Sequence, residues 1–97
     1  MEINNNDKTF LEEGMVLADF SASWCGPCKM FAPIFEEFSD KTDVKCVKID
    51  VDNNQELARE YIVMSVPTII LFKDGKEINR HNGYMSLEQL EEFVQNK

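Results

Sequence analysis

Two cysteines separated by two residues are the part of this chain that could do chemistry. Cys25 and Cys28 are close enough along the chain to form a disulfide with each other and to release it again. Residues 15–20 form an apolar run that predicts a strand, and residues 29–39 carry apolar side chains at helical spacing. The pair is therefore expected at the beginning of a helix, where unpaired backbone N–H groups and the helix dipole stabilise a thiolate.

The residues around the two thiols fit this position. Gly26 lets the backbone turn tightly and leaves the sulfur uncovered, and Pro27 suits a first helical turn because its missing N–H would have no partner there. Trp24 is a large aromatic residue beside Cys25, and a position in the core would be an ordinary place for it.

A structural zinc site is the alternative use of this cysteine spacing. The further ligands would have to be Cys46 and His81, since the sequence has no second closely spaced pair. Cys46 lies among Val44, Val47 and Ile49 in a predicted core strand, so we expect it to be a small buried residue. Redox chemistry is favoured over a metal site.

The remaining pattern alternates strands with helices over a single domain, residues 1–97. We expect strands at 2–4, 15–21, 44–51, 66–72 and 77–81, and helices at 6–13, 29–39, 53–61 and after a capping box at 86–89. The strand at 15–21 has apolar residues on both faces, which indicates a central position in a sheet covered on both sides, and the strand at 66–72 is nearly continuous in apolar residues. The predicted class is α/β, with a central mixed sheet and helices on both faces.

Composition excludes several classes of partner. The net charge is -8 and there is no basic stripe, so nucleic acid and anionic membrane surfaces are not expected partners. No apolar stretch is long enough to cross a bilayer, and no secretory leader is recognisable. The odd number of cysteines fits a reducing compartment, and we expect a cytoplasmic monomer without a bound metal or cofactor.

Asp19 is the unexpected residue in the first long strand. A carboxylate within that apolar run is costly to bury unless it is paired or neutral. It could instead lie at a strand edge and contact water. Lys48, which alternates with Cys46 and Asp50, is a possible charged neighbour, although an ordinary solvated lysine would give the same pattern.

The chain resembles the thioredoxin family over nearly its whole length. The motif at residues 24–29, Trp-Cys-Gly-Pro-Cys-Lys, follows Val-Leu-Ala-Asp-Phe at residues 16–20. The likeness extends to Ser-Val-Pro-Thr at 65–68, to the Lys-Asp-Gly-Lys hairpin at 73–76 and to Asn-Gly at 82–83. It implies the thioredoxin fold and a general protein disulfide reductase.

The resemblance also implies a role for each site residue. Cys25, at the exposed end of the turn, would attack a substrate disulfide, and Cys28 would resolve the mixed disulfide. Asp19 would help to deprotonate Cys28. The Val66-Pro67 peptide bond would be cis and pack against the active-site disulfide.

Substrate contacts and partners follow from the same resemblance. Trp24, Gly26, Pro27 and Gly83 would shape the substrate surface, and the backbone of Val66 would pair with an extended substrate segment. The chain has no dinucleotide fingerprint, so electrons would come from a thioredoxin reductase and pass to disulfide-containing proteins.

Two departures and two alternatives remain. Ser21 replaces a tryptophan that many thioredoxins carry, and Ser65 stands where bacterial relatives often have glycine, which leaves the substrate range open. A disulfide-forming oxidant of the same fold, or a non-catalytic subunit of a larger assembly, would share the same motifs.

Overall fold

The structure is a computed structural model that describes residues 1–95. Its strands are β1 (Glu2–Ile3), β2 (Met15–Ser21), β3 (Lys45–Asp50), β4 (Thr68–Lys73) and β5 (Lys76–Asn82). Its helices are α1 (Gly26–Lys41), α2 (Gln55–Glu60) and α3 (Leu87–Gln95).

The five strands form one mixed sheet in the order β1-β3-β2-β4-β5. The strands β1 and β2 pair parallel with β3, whereas β4 pairs antiparallel with both β2 and β5. The apolar strands β2 and β4 are therefore central, as their composition predicts. The more polar β5 lies at an edge.

Helices cover both faces of this sheet. On one face Phe20 and Phe72 pack with Leu57 of α2 and with Phe10 of the N-terminal segment. On the other face Leu17 and Ile69 are among the residues that pack with Phe31 of α1 and Leu90 of α3. Alternate residues of each central strand thus enter different cores, which confirms the prediction of a mixed sheet covered on both sides.

The predicted helix at residues 6–13 is wrong. Asn5 and Asn6 have φ values of 56° and 59°, and residues 4–7 and 8–11 form two separate backbone turns instead of a helical ladder. The Asn6 side chain is used elsewhere, because its Oδ1 accepts hydrogen bonds from the N–H groups of Glu56 and Leu57 at 3.0 and 3.1 Å. A residue distant in sequence therefore caps α2.

Several other predicted elements are shorter than expected, including β1 and β3, which lack one and two of their expected residues. The strand predicted at 66–72 begins only at Thr68, because Pro67 has no N–H to donate to a ladder. The helix predicted at 53–61 is confined to α2. The capping box before α3 is confirmed: the Gln89 N–H donates to Ser86 Oγ at 3.2 Å, and the Ser86 N–H donates to Gln89 Oε1 at 2.9 Å.

Candidate active site

Cys25 and Cys28 are joined in a disulfide at the beginning of α1. Their Cα atoms are 5.3 Å apart. Cys25 is the N-cap residue of the helix, and the backbone N–H of Cys28 donates a hydrogen bond to its Sγ at 3.2 Å. Pro27 lies in the first turn, where no carbonyl would have accepted its N–H. The helix terminus thus directs one of its free N–H donors, that of Cys28, at the Cys25 sulfur.

The expected difference in exposure between the two cysteines is wrong, since both residues are only 5% exposed. What distinguishes them is the space that each one lines. Cys25 lies in an open groove of about 540 Å³, together with Trp24, Val66 and Met64. Cys28 instead lines a smaller cavity of about 320 Å³ beside Lys48. A substrate in the larger groove would meet the sulfur of Cys25.

Val66 and Pro67 lie directly opposite the disulfide. The Val66-Pro67 peptide bond is cis, and the Val66 carbonyl oxygen is 3.6 Å from Cys25 Sγ. The Pro67 carbonyl accepts a hydrogen bond from the Gly83 N–H at 2.7 Å. Gly83 has a φ of 105°, a conformation that residues with a Cβ rarely adopt, so the backbone rather than a lack of space requires glycine here.

Trp24 and Gly26 border the groove from the other side. Trp24 is 68% exposed, which excludes a core position, and its Nε1–H donates to Asp52 Oδ2 at 2.9 Å. Gly26 is already part of α1 and does not have a positive φ. The expectation that a tight turn requires this glycine is therefore wrong, and apart from its chain neighbours and the backbone of its own helix a Cβ at this position would meet no atom within 4 Å.

Asp19 is buried at the centre of β2. The residue is 1% exposed, and its Oδ1 has no hydrogen-bond partner within residues 1–95. Strand register places it beside Lys48 of β3 and Ile69 of β4, so it does not lie at a sheet edge. Burial raises the pKa of Asp19 to about 7, and the positive charge of Lys48 opposes part of this rise. The carboxyl group can hold or release a proton near neutral pH.

Strand alternation places Asp19 on the same side of the sheet as α1. Leu17, two residues earlier, packs against the aromatic residues of α1. Ser21, two residues later, lines the small cavity together with Cys28 and Lys48. Side chains at alternate positions of a strand share a face, so Asp19 points towards the layer that carries Cys28.

Several groove residues were not identified from the sequence. Val51, Val63 and Met64 all line the Cys25 groove, and Asp52 anchors Trp24. Nothing in their local spacing marks them, because they lie in the segments that follow β3 and α2 and reach the cysteines only in the folded chain. Met64 is 88% exposed, and this exposure of an apolar side chain becomes visible only in the folded structure.

The third cysteine is separate from this site. Cys46 is buried on the α1 and α3 side of the sheet, where burial raises the pKa of its thiol. Among residues 1–95, no three His, Cys, Asp or Glu side chains are grouped closely enough to hold a metal ion. Over the same residues, no helix has the length and apolar character needed to span a membrane.

A disulfide between two cysteines at a helix N-terminus, next to an open apolar groove, is the arrangement of a thiol-disulfide oxidoreductase. Comparison with known proteins agrees. The family model described as Thioredoxin matches residues 2–96. Thioredoxin from Bacillus subtilis is 52% identical over 84 residues, which are 84% of this chain and 81% of that protein. Thioredoxin from Staphylococcus aureus is 46% identical over 88 residues, covering 87% and 83%.

Solved structures give the same result. A mutant thioredoxin from Halobacterium salinarum superposes with a TM-score of 0.90 at 37% identity, covering 99% of this chain and 88% of that one. Schistosoma mansoni thioredoxin superposes with a TM-score of 0.90 at 36% identity, covering 99% and 93%. The chain belongs to the thioredoxin family, and it is a dithiol-disulfide reductase with the thioredoxin fold.

Proposed function

We propose that Cys25 is the attacking thiol and Cys28 the resolving thiol of a single-domain thioredoxin spanning residues 1–97. The observation that carries this assignment is the different space beside each sulfur. Cys25 caps α1 and lines the open groove, whereas Cys28 lines the smaller cavity one turn along the helix. A substrate disulfide can approach Cys25 through the groove.

The proposed reaction has two exchange steps. The Cys25 thiolate attacks one sulfur of the substrate disulfide, forms a mixed disulfide and expels the other substrate sulfur as a thiolate. Cys28 then loses its proton and attacks the Cys25 sulfur, which forms the Cys25–Cys28 disulfide and releases the remaining substrate thiol. Two electrons pass from the protein to its substrate. A thioredoxin reductase returns them, and the chain needs no bound cofactor.

Asp19 is the proposed proton acceptor for the second step. Its carboxyl group is buried on the face of the sheet that α1 covers, and its pKa of about 7 suits proton exchange at neutral pH. Lys48 is the adjacent cation on β3. In this role Asp19 takes the proton of Cys28 as the mixed disulfide is resolved.

The substrate surface consists of Trp24, Gly26, Pro27, the Val66-Pro67 segment and Gly83. Its support is the groove itself, together with the position of the Val66 carbonyl 3.6 Å from Cys25 Sγ. An extended substrate segment would lie along Val66 and present its disulfide to Cys25. We propose disulfide-containing proteins as substrates and a cytoplasmic monomer as the working form.

Trapping of mixed disulfides tests the order of the two thiols. We expect Cys28→Ser to accumulate covalent complexes with substrate proteins and Cys25→Ser to form none, both in a Cys46→Ala background that removes the third thiol. The complexes are resolved on non-reducing gels and disappear with added reductant. Accumulation with Cys25→Ser instead would reverse the assignment.

A further inference from the structure

A second groove continues from the one that contains Cys25. It has a volume of about 470 Å³ and shares Val51, Val63 and Met64 with the first groove. Its other walls are α2 and the turn that follows this helix, where Arg59 and Ile62 line it. A polypeptide that lies in the first groove can extend into the second one without leaving the protein surface.

Ile62 occupies a backbone position that normally belongs to glycine. Its N–H donates to the Arg59 carbonyl at 3.2 Å, and the next N–H, of Val63, donates to the Ala58 carbonyl at 2.8 Å. These two bonds define a Schellman motif at the end of α2, with Ile62 at the left-handed position and a φ of 53°. A β-branched residue is strained in this conformation.

Arg80 of β5 holds this strained turn from outside. Its guanidinium donates to the carbonyls of Tyr61 and Ile62, and Glu77 binds the same guanidinium. The Ile62 side chain is nevertheless 68% exposed. Neither the strained backbone of Ile62 nor its exposed apolar side chain stabilises the fold. Backbone strain of this kind is concentrated at functional sites in proteins, so Ile62 is a candidate for a functional role.

Arg59 places a positive charge at the same groove. The side chain is exposed, and the ion pairs formed within residues 1–95 do not include it. The chain as a whole carries a net charge of -8, so the groove offers an unpaired cation on an acidic protein. An acidic group on a bound polypeptide would complement this charge.

We propose that the second groove is a specificity subsite, which binds substrate polypeptides carrying an apolar residue and an acidic residue close to the reactive cysteine. The proposal rests on the disulfide reductase function proposed above. Ile62 and Met64 contact the apolar side chain, and Arg59 contacts the carboxylate. Ile62 is four residues from Val66, at most about 14 Å along the chain, so an extended substrate reaches it within about four residues of its cysteine.

Peptide disulfides test the subsite directly. The substrates are symmetrical disulfides of a peptide with one cysteine, with leucine and either glutamate or glutamine placed two to five residues from it on either side. Reduced protein is mixed with each peptide, quenched in acid and analysed by chromatography. At one or more positions we expect the glutamate peptide to react about two- to fivefold faster than its glutamine counterpart at low salt. In about 1 M salt this ratio should approach one.

Four variants separate the subsite from general effects. Arg59→Gln should abolish the glutamate preference, whereas Lys76→Gln, the same charge change at the far end of the β4–β5 hairpin, should retain it. Ile62→Gly should slow the leucine peptides about threefold or more, although it relieves the strained φ and raises the melting temperature by a few degrees. Ile62→Val keeps the branched apolar side chain and should react like the wild type.

Two results would overturn the subsite. One is a glutamate preference that persists in Arg59→Gln or is lost equally in Lys76→Gln, and the other is unchanged reduction of leucine peptides by Ile62→Gly. Bis(2-hydroxyethyl) disulfide is too short to extend into the second groove while it reacts with Cys25. Its rate of reduction therefore reports on the cysteine pair alone and should be the same in every variant. If the wild type did not reduce this compound, the proposed function would be refuted. In that case binding at the subsite is measured separately by NMR, from the amide chemical-shift changes of Arg59 and Ile62 on titration with cysteine-free peptides.

Discussion

Replacement of Asp19 by asparagine should make the stability of the oxidised protein much less dependent on pH. Burial raises the pKa of this carboxyl group from 3.8 to about 7 in the folded protein, a difference that corresponds to about 4 kcal/mol at about 1.36 kcal/mol for each pKa unit. Because the folded-state pKa is the higher one, folding retains a proton that the unfolded chain releases. The free energy of unfolding therefore falls as pH rises from about 4 to about 7.

Above pH 7 the wild type carries the full cost of the buried charge, whereas the asparagine variant carries none. We expect Asp19→Asn to be more stable than the wild type at pH 8. The difference between the two should change by about 2 to 3 kcal/mol between pH 5 and pH 8, whatever constant offset the amide introduces. Urea titrations at several pH values measure it, and the oxidised form is used so that Cys25 and Cys28 do not titrate.

Two further variants show whether Asp19 is the cause. Lys48→Met removes the cation that opposes the rise in the pKa of Asp19, so the pH range over which stability falls should move upwards. Asp43→Asn changes an exposed carboxylate and should leave the pH dependence as in the wild type. A stability difference between Asp19→Asn and the wild type that is constant from pH 5 to pH 8 would refute the argument. Unchanged resolution of the mixed disulfide in Asp19→Asn would remove its proton role.

Two predictions concern the contacts that hold the helices in place. The Asn54 side chain is fully buried, accepts a hydrogen bond from the Asn6 N–H at 2.9 Å and donates to the Ile3 and Asp50 carbonyls at 2.8 and 3.0 Å. Asn54→Ala should therefore lower the free energy of unfolding, measured by chemical denaturation, by about 3 kcal/mol. A cost below about 0.5 kcal/mol would show that these bonds do not anchor the N-terminal segment. Ser86→Ala removes the cap of α3 and should cost about 1 kcal/mol in the same assay, while Ser86→Asp retains most of the stability. Equal losses in both Ser86 variants would contradict the capping role.

The sequence by itself determined the parts of this protein that depend on local pattern. The apolar residues on both faces of β2 and along β4 required a central position in the sheet, and the Ser86 capping box specified the start of α3 through hydrogen bonds between residues three positions apart. The two cysteines with Pro27 identified a helix N-terminus for the same reason, since a missing N–H and an N-cap are properties of one turn.

Tertiary structure decided what depends on partners distant in the chain. Residues 6–13 are not a helix because Asn6 caps α2, more than forty residues away. Lys48 lies beside Asp19 because of the register in which β2 and β3 pair. The left-handed turn at Ile62 is held by Arg80 from β5, against the conformational preference of an isoleucine. These arrangements come from contacts between elements that are distant in the chain, and no local spacing encodes them.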